Sequence, residues 1–502
     1  MGLALDPALE GLEPTELWRQ FDALRRIPRP SLHEAGVRAH LKAIAEREGW
    51  DAVVDGAGNI VLRVDGRGAG VDSEPLAIQG HMDMVCEKRA ESGHDFHADP
   101  ILLRRATRTF AGRQRDVLQA EGTTLGADNG IGVAAALALA LTPGLDHPPL
   151  ELLFTADEEE GMSGAFALDS KLIRARRMIN LDAEAEGRIY LSCAGGRELH
   201  ATWELDREEP HYDDVAVRLS IQGLRGGHSG VDIHEGRVNA IAALVTLLTD
   251  RSLDLEGVRV ASCHGGGRPN AIARSAETIL WCPRSRVGPL ATAFEAAGRR
   301  FAEANAEVDP ELTVRFTELS GDDLDAVPQP VSAMISRSIL EALKNQPTGV
   351  LTWSKVIPGL VETSNNLGTI ETSDATMRLI EMARSSKQGA LEGYQERWER
   401  TLEASGARVE YLHAFPGWEA RVDTQLLSAA EAAYEGLFGR KPIREAIHAG
   451  LECGVIGERI TGLEMIAFGP DIFDAHTPTE SLAIDTVEPF WRFVVELAAR
   501  LV

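Results

Sequence analysis

Apolar and polar positions alternate with one period in the first part of the chain, a second in the middle and the first again at the end. To about residue 204, short β-rich runs alternate with stretches of helical spacing; the runs are NIVLRV (59–64), PLAIQGHMD (75–83), LELLFTAD (150–157) and RMINLD (177–182). Strands separated by helices predict an α/β domain with a mainly parallel sheet. From 205 the order becomes strand VAVRLSIQGL (215–224), helix VNAIAALVTLL (238–248), strands VRVASCH (258–264) and AIARSAETILWC (271–282), helix 290–308 and strand LTVRFTEL (312–319). That βαββαβ order predicts a ferredoxin-like α+β unit. A looser second copy follows over 332–415, with its first strand missing. After Gly417 the α/β pattern returns in helix 425–438, strand GLEMIAFG (462–469) and helix 487–502. The expected organisation is therefore one domain from 1–204 and 416–502, with 205–415 inserted into it.

Several runs end on His, Asp or Glu, and the carboxyl ends of strands in open α/β sheets are where ligands collect. Five stretches gather hard-metal ligands beside glycine or at strand ends: QGHMDMV (79–85), LGADNGIG (125–132), TADEEEGM (155–162), NLDAE (180–184) and DAHTPTE (474–480). Singly, each reads equally as a set of capping or solvated loop residues. In HMD, residues two apart on an extended strand face one side, so His81 and Asp83 can meet at one point, one ligating and the other orienting it. Asp128 on its glycine-flanked loop can be approached from both sides; its other reading is the N-cap of the helix that follows. Histidines and carboxylates without thiolates suit zinc, manganese or cobalt in a hydrolytic centre.

Composition narrows the function classes. The chain has 502 residues and 44% apolar content, enough for two or three domains. Its net charge of -26 argues against nucleic acid or an anionic membrane as partner. The N-terminus lacks the basic segment of a signal peptide, and the run 131–141 is about half the length that spans a bilayer, so a cytoplasmic protein is expected. The five cysteines have no CxxC spacing and read as reduced thiols.

The segments GHMDMVCEK, LGADNGIG, FTADEEEGMSGA, NLDAE, CAGG, GLRGGHSGVDIHEGRVNA, HAGLECG and GPDIFDAHTPTE resemble, in order and spacing, the M20 metallopeptidases. Within them the chain looks most like the aminoacyl-histidine dipeptidase (Xaa-His, carnosinase-like) branch. The resemblance implies a dinuclear zinc dipeptidase, with cobalt or manganese as substitutes, and makes 205–415 a lid or dimerisation domain, a homodimer being one expectation. It implies metal ligands His81, Asp128, Glu159, Asp182 and His476. Asp128 would bridge, His81 and Asp182 would complete one site, and Glu159 and His476 the other. Asp83 would hold His81, Glu158 would be the general base to a metal-bridging hydroxide, and the Asp128–Asn129 peptide would be cis. His228 would stabilise the oxyanion, and Asn270 and Arg384 would contact the dipeptide. Asn365, Asn366, His448 and Glu452 also fit family motifs and receive no role.

The acidic run leaves two registers open, Glu158/Glu159 or Glu159/Glu160, because the position that varies in the family is here Glu160. Counting back from Gly161 as the family pattern does makes Glu159 the ligand and Glu158 the base. The alternatives are an N-acyl amino acid amidohydrolase (aminoacylase) with the same metals, and a non-catalytic metal-binding or oligomerising protein.

Overall fold

The computed structural model describes residues 4–502, except the side chain of Gln388. Two compact units emerge: 1–192 with 420–446 and 451–502, and 193–419 with 447–450. The boundary expected at 204/205 falls at 192/193, for a reason that lies in the pairing of one strand.

The first unit is built on an eight-stranded sheet in the spatial order Asp51–Val54, Ile60–Val64, Leu150–Thr155, Leu76–His81, Arg177–Asn180, Glu464–Ala467, Arg188–Cys193, Ile443–Ile447. Its centre is parallel: Leu76–His81 pairs in parallel with both Leu150–Thr155 and Arg177–Asn180, and Arg177–Asn180 with Glu464–Ala467. The pairs toward Asp51–Val54 are antiparallel. All residues of Leu76–His81 and Leu150–Thr155 are buried, as expected of strands covered on both faces. The helix Ala127–Leu141 explains the unbroken apolar run: it is buried nearly all round rather than along one stripe. Among the described residues no helix is long and apolar enough to cross a membrane.

Two glycines let this helix approach the sheet. A Cβ at Gly132 would stand 2.5 Å from the Leu181 carbonyl oxygen, and one at Gly80 would stand 2.2 Å from Asn129 Oδ1. Between them Asn129 donates Nδ2–H to the Leu181 carbonyl at 2.7 Å. The helix start is thereby fixed to the strand that ends at His81 and to the segment that carries Asp182.

The second unit holds a nine-stranded antiparallel sheet whose main path runs Thr313–Glu318, Asp214–Gln222, Ala276–Pro283, Arg259–Gly266, Val361–Thr372, Thr376–Ser385, Gly195–Glu204, Arg408–Phe415. Its first four strands, with helices Ala240–Leu248 and Arg284–Asn305, make one ferredoxin-like unit. The last four, with helices Ala333–Lys344 and Gln388–Ala404, make a second. The strand that seemed missing from the second copy is Gly195–Glu204, which precedes the first copy in the chain and pairs with Thr376–Ser385 and Arg408–Phe415. One copy is thus nested inside the other, and this strand carries the unit boundary upstream of 204.

Candidate metal centre

The carboxyl edge of the parallel strands gathers the acids and histidines of the first unit. His81 ends its strand; Thr155 and Asn180 end the neighbouring two, and the chain turns there into Asp157–Glu159 and Asp182. Asp157 adopts the left-handed conformation (φ 55°), which breaks the strand before the acidic run, and its carboxylate accepts the Ser163 hydroxyl. Beyond that break, adjacent glutamates no longer alternate across a sheet.

Asp128 stands at the middle of the cluster. Its Oδ1 lies 3.0 Å from His81 Nε2 and its Oδ2 lies 3.0 Å from His476 Nε2. His81 Nε2 also lies 3.4 Å from Asp182 Oδ1, and His476 Nε2 lies 3.0 Å from Glu159 Oε2. Ligand atoms of His81, Asp128 and Glu159 all fall within 4.8 Å of one another. The N-cap position of the helix is Gly126, with no side-chain cap, so Asp128 does not cap it; Asp128 and Asn129 have non-helical backbone angles and the peptide between them is cis.

Asp83 holds the neighbouring pieces together. Its Oδ1 faces His81 Nδ1 at 3.3 Å and accepts the Glu158 N–H at 3.1 Å; its Oδ2 accepts the Glu159 N–H at 3.2 Å and the Ser31 hydroxyl at 2.8 Å. One buried carboxylate therefore orients the first histidine and sets the register of the acidic run. Glu159 is 4% exposed at its side chain, whereas Glu160 is exposed.

The electrostatics fit a cation. Hydrogen bonds to Asp128 and Glu159 push the His476 imidazole up to about 11, so a proton there holds charge that a metal ion would supply. Burial alone would depress His81, yet Asp182, Asp128 and Asp83 together raise it well above its ordinary value. Burial, and then the neighbouring Asp128, push Asp182 up to about 6. Glu158 is raised by burial, and then by Asp182, Glu159 and Glu452. Glu159 Oε1 is buried without a hydrogen-bond partner among the described residues, an acceptor left for a ligand. Imidazoles and carboxylates converging without thiolates match a hydrolytic divalent-metal site in donor chemistry.

Residues 77–500 match peptidase family M20/M25/M40. The chain belongs to this family. It is 33% identical over 492 residues to the cytosol non-specific dipeptidase of Escherichia coli strain K12, covering 97% of this chain and 98% of that protein. It is similar to the crystal structure of aminoacylhistidine dipeptidase from Vibrio alginolyticus, with TM-score 0.88, 33% identity, and 98% and 97% of the two chains covered. Its fold is also that of aminopeptidase PepT from Bacillus cereus (TM-score 0.55, 15% identity, 98% and 99% covered). As an M20 peptidase the chain is a hydrolase of peptide bonds.

His228, Asn270 and Arg384 lie in the second unit. Gly227–His228 pairs antiparallel with Ala271–Ile272, with His228 opposite Ala271, and Ser229 N–H donates to the Asn270 carbonyl at 2.8 Å. His228 Nδ1 accepts the N–H groups of Gly230 and Val231 at 3.2 and 3.0 Å. The neutral ring therefore carries its proton on Nε2 and presents a donor. Burial, and then Arg384, push His228 down to about 4, which keeps it neutral at pH 7. Arg384 is 4% exposed and its Nε has no partner among the described residues; burial lowers its guanidinium to about 10. A buried, unpaired guanidinium is a receptor for an anion.

The four unassigned motif residues all acquire partners; Asn365 donates Nδ2–H to the Pro347 carbonyl and to Glu381 Oε2, both at 2.8 Å. Asn366 donates Nδ2–H to the carbonyls of Pro269 and Ala271 at 3.0 and 2.8 Å, gripping the chain on both sides of Asn270. His448 Nε2 and Ser364 Oγ are hydrogen bonded at 2.7 Å. Glu452, fully buried, accepts from Gln79 Nε2 and Thr155 Oγ1, both at 2.6 Å, beneath the strand ends of the first unit. Sequence reasoning missed Arg29 and Glu480 altogether. Glu480 stands inside the DAHTPTE stretch, but Arg29 lies in no motif and carries no local signal.

Proposed function

We propose that the chain is a metal-dependent dipeptidase that hydrolyses unblocked dipeptides, with Xaa-His dipeptides of the β-alanyl-histidine type as preferred substrates. The observation that carries the reading is that the two carboxylate oxygens of Asp128 face different imidazoles, His81 and His476, each at 3.0 Å. In this reading Asp128 would be shared by two divalent ions, zinc in the first instance, with His81 and Asp182 completing the set that would hold one, and Glu159 and His476 the set that would hold the other. When bound, such a pair supplies Lewis acidity and a water acidic enough to react near neutral pH. The names of the Escherichia coli and Vibrio relatives support the dipeptide substrate, and the first supports a cytosolic location.

Glu158 is the general base. Its raised carboxyl takes the proton from the attacking water and returns it to the leaving amine, the task for which an affinity nearer the working pH is favourable. His228 presents Nε2–H to the oxyanion that develops on the scissile carbonyl. Arg384 and Asn270 bind the dipeptide, Arg384 through its terminal carboxylate, for which a guanidinium forms a two-pronged partner.

Metal analysis of the purified chain, joined to a panel of carnosine, glycyl dipeptides and N-acetyl amino acids, tests this. Two ions per chain with cleavage of the free dipeptides is the expected result. Cleavage confined to the N-acetyl compounds would make the protein an aminoacylase instead, and metal uptake without any turnover would leave it a binding protein.

A further inference from the structure

Glu480 lies four residues beyond His476 and is 2% exposed. Its Oε2 accepts the N–H groups of Leu125 and Gly126 at 2.7 and 3.0 Å, and its Oε1 those of Ala127 and Asp128 at 2.8 and 3.3 Å. Four successive backbone donors thus close around one carboxylate, a nest of the kind that binds anions, here filled by a side chain of the protein itself.

The same loop is gripped through a carbonyl as well. Arg29, 4% exposed, donates Nη2–H to the Gly126 carbonyl and Nη1–H to the carbonyls of Met82 and Asp83. Its guanidinium ties the Asp128 loop to the segment that follows His81. Glu480 ties that loop to the segment carrying His476. Neither side chain donates to or accepts from the imidazole and carboxylate atoms of the centre in the hydrogen bonds described; each grips the Asp128 loop through backbone groups, and each also acts on Asp128 through space by its charge.

We propose that Glu480 and Arg29 are positioning residues that set where Asp128 stands between the two ions, Glu480 by coupling the Asp128 loop to His476. This rests on the two-ion reading above. His81 is held independently by Asp83, whereas His476 sits on a segment where its own side chain is 54% exposed. The ion held by Glu159 and His476 therefore depends on Glu480 more than its neighbour does.

Glu480→Gln is the direct test. A glutamine replaces one accepting oxygen by an NH2 that confronts backbone N–H donors, so the nest cannot be satisfied. The control is Glu151→Gln: Glu151 is also buried and its Oε2 accepts two backbone N–H groups, of Arg174 and Ala175, but it stands at the amino end of its strand, away from the centre. Zinc titration of each metal-free full-length chain against a chromophoric chelator is read beside its melting temperature. In Glu480→Gln one of the two sites, assigned to Glu159 and His476, is expected to lose about 10- to 100-fold in affinity, the range seen when groups behind metal ligands are removed, with the other unchanged. Glu151→Gln is expected to lower the melting temperature and keep both affinities.

Wild-type affinity at both sites of Glu480→Gln overturns the inference, as does an equal loss in Glu151→Gln. Should Glu480→Gln fail to fold, Arg29→Lys is titrated in its place: an ammonium cannot span the Gly126 and Met82/Asp83 carbonyls as the guanidinium fork does. A loss of about 10- to 100-fold in zinc affinity at one site or both is expected there, because the Asp128 loop loses its tie to the segment after His81, and unchanged affinities overturn the inference. A wild-type chain that takes up fewer than two ions removes the two-ion reading itself and this inference with it.

Discussion

Glu159 Oε2 lies 3.0 Å from His476 Nε2, while the next residue, Glu160, faces solvent. The two glutamates are chemically identical, and the turn at Asp157 decides which one joins the centre. Alanine at each acid should separate their roles. Glu159→Ala is expected to lose one of the two ions, Glu158→Ala to keep both and lose turnover by roughly 10²–10⁴-fold, and Glu160→Ala to change neither appreciably. Metal content and kcat, measured on the same preparations, check this; an inactive Glu160→Ala would assign the register wrongly.

Asp83→Asn should weaken the centre without removing a ligand. Both oxygens of Asp83 are engaged, by His81, Glu158, Glu159 and Ser31, and an asparagine keeps only one acceptor. A loss of about 10- to 100-fold in metal affinity or kcat is expected. Equilibrium zinc titration decides it, with wild-type binding and turnover as the contrary result.

Asn366 is expected to act on catalysis through Asn270 and His228. Asn366→Ala leaves the Pro269 and Ala271 carbonyls without the amide that spans them, each loss worth about 1–3 kcal/mol where the group stays buried and unsatisfied. The expected outcome is a fall in kcat/KM and in urea stability with two ions still bound. Full activity at wild-type KM would mean the Asn270 segment holds its place without this grip.

The two histidines of the second unit predict a pH dependence. His448 is pushed down to about 3, by burial first and then Arg384, and His228 to about 4 by the same causes. Below their ordinary value of 6.5 the unfolded chain binds protons that the folded chain refuses, so each histidine lowers stability as pH falls from about 6.5 toward about 4. Above 6.5 neither contributes a slope. Buried carboxyls such as Glu381, raised to about 8 by burial, act in the opposite sense as pH rises, so the histidine part must be read as a difference. Urea unfolding of wild type and His448→Gln at a series of pH values should show the variant losing less stability on acidification. Parallel profiles would contradict the assignment.

Much of the fold was legible in the periodicity, because strands and helices of ordinary length announce themselves locally. The strands ending at His81, Thr155 and Asn180 are buried on both faces and read as short apolar runs, and His81, Asp128, Glu159, Asp182 and His476 stand in stretches where polar residues interrupt that pattern. The strand Gly195–Glu204 was not read from the periodicity, and nothing local marked it as a member of the second unit. Its partners, Thr376–Ser385 and Arg408–Phe415, lie far along the chain, and pairing between distant strands leaves no periodic mark on either.

What the amino-acid sequence determined by itself is the inventory: which segments form strands and helices, which residue types can ligate a metal, and which family their order belongs to. These follow from local periodicity and from the chemistry of single side chains. Only the tertiary structure decided that Asp128 turns one oxygen to His81 and the other to His476, that Asp83 braces both a histidine and the acidic run, and that Glu480 and Arg29 grip the Asp128 loop. Those contacts join residues tens to hundreds of positions apart. They depend on where the sheet brings backbone donors and acceptors together, and no local pattern of hydrophobicity encodes that.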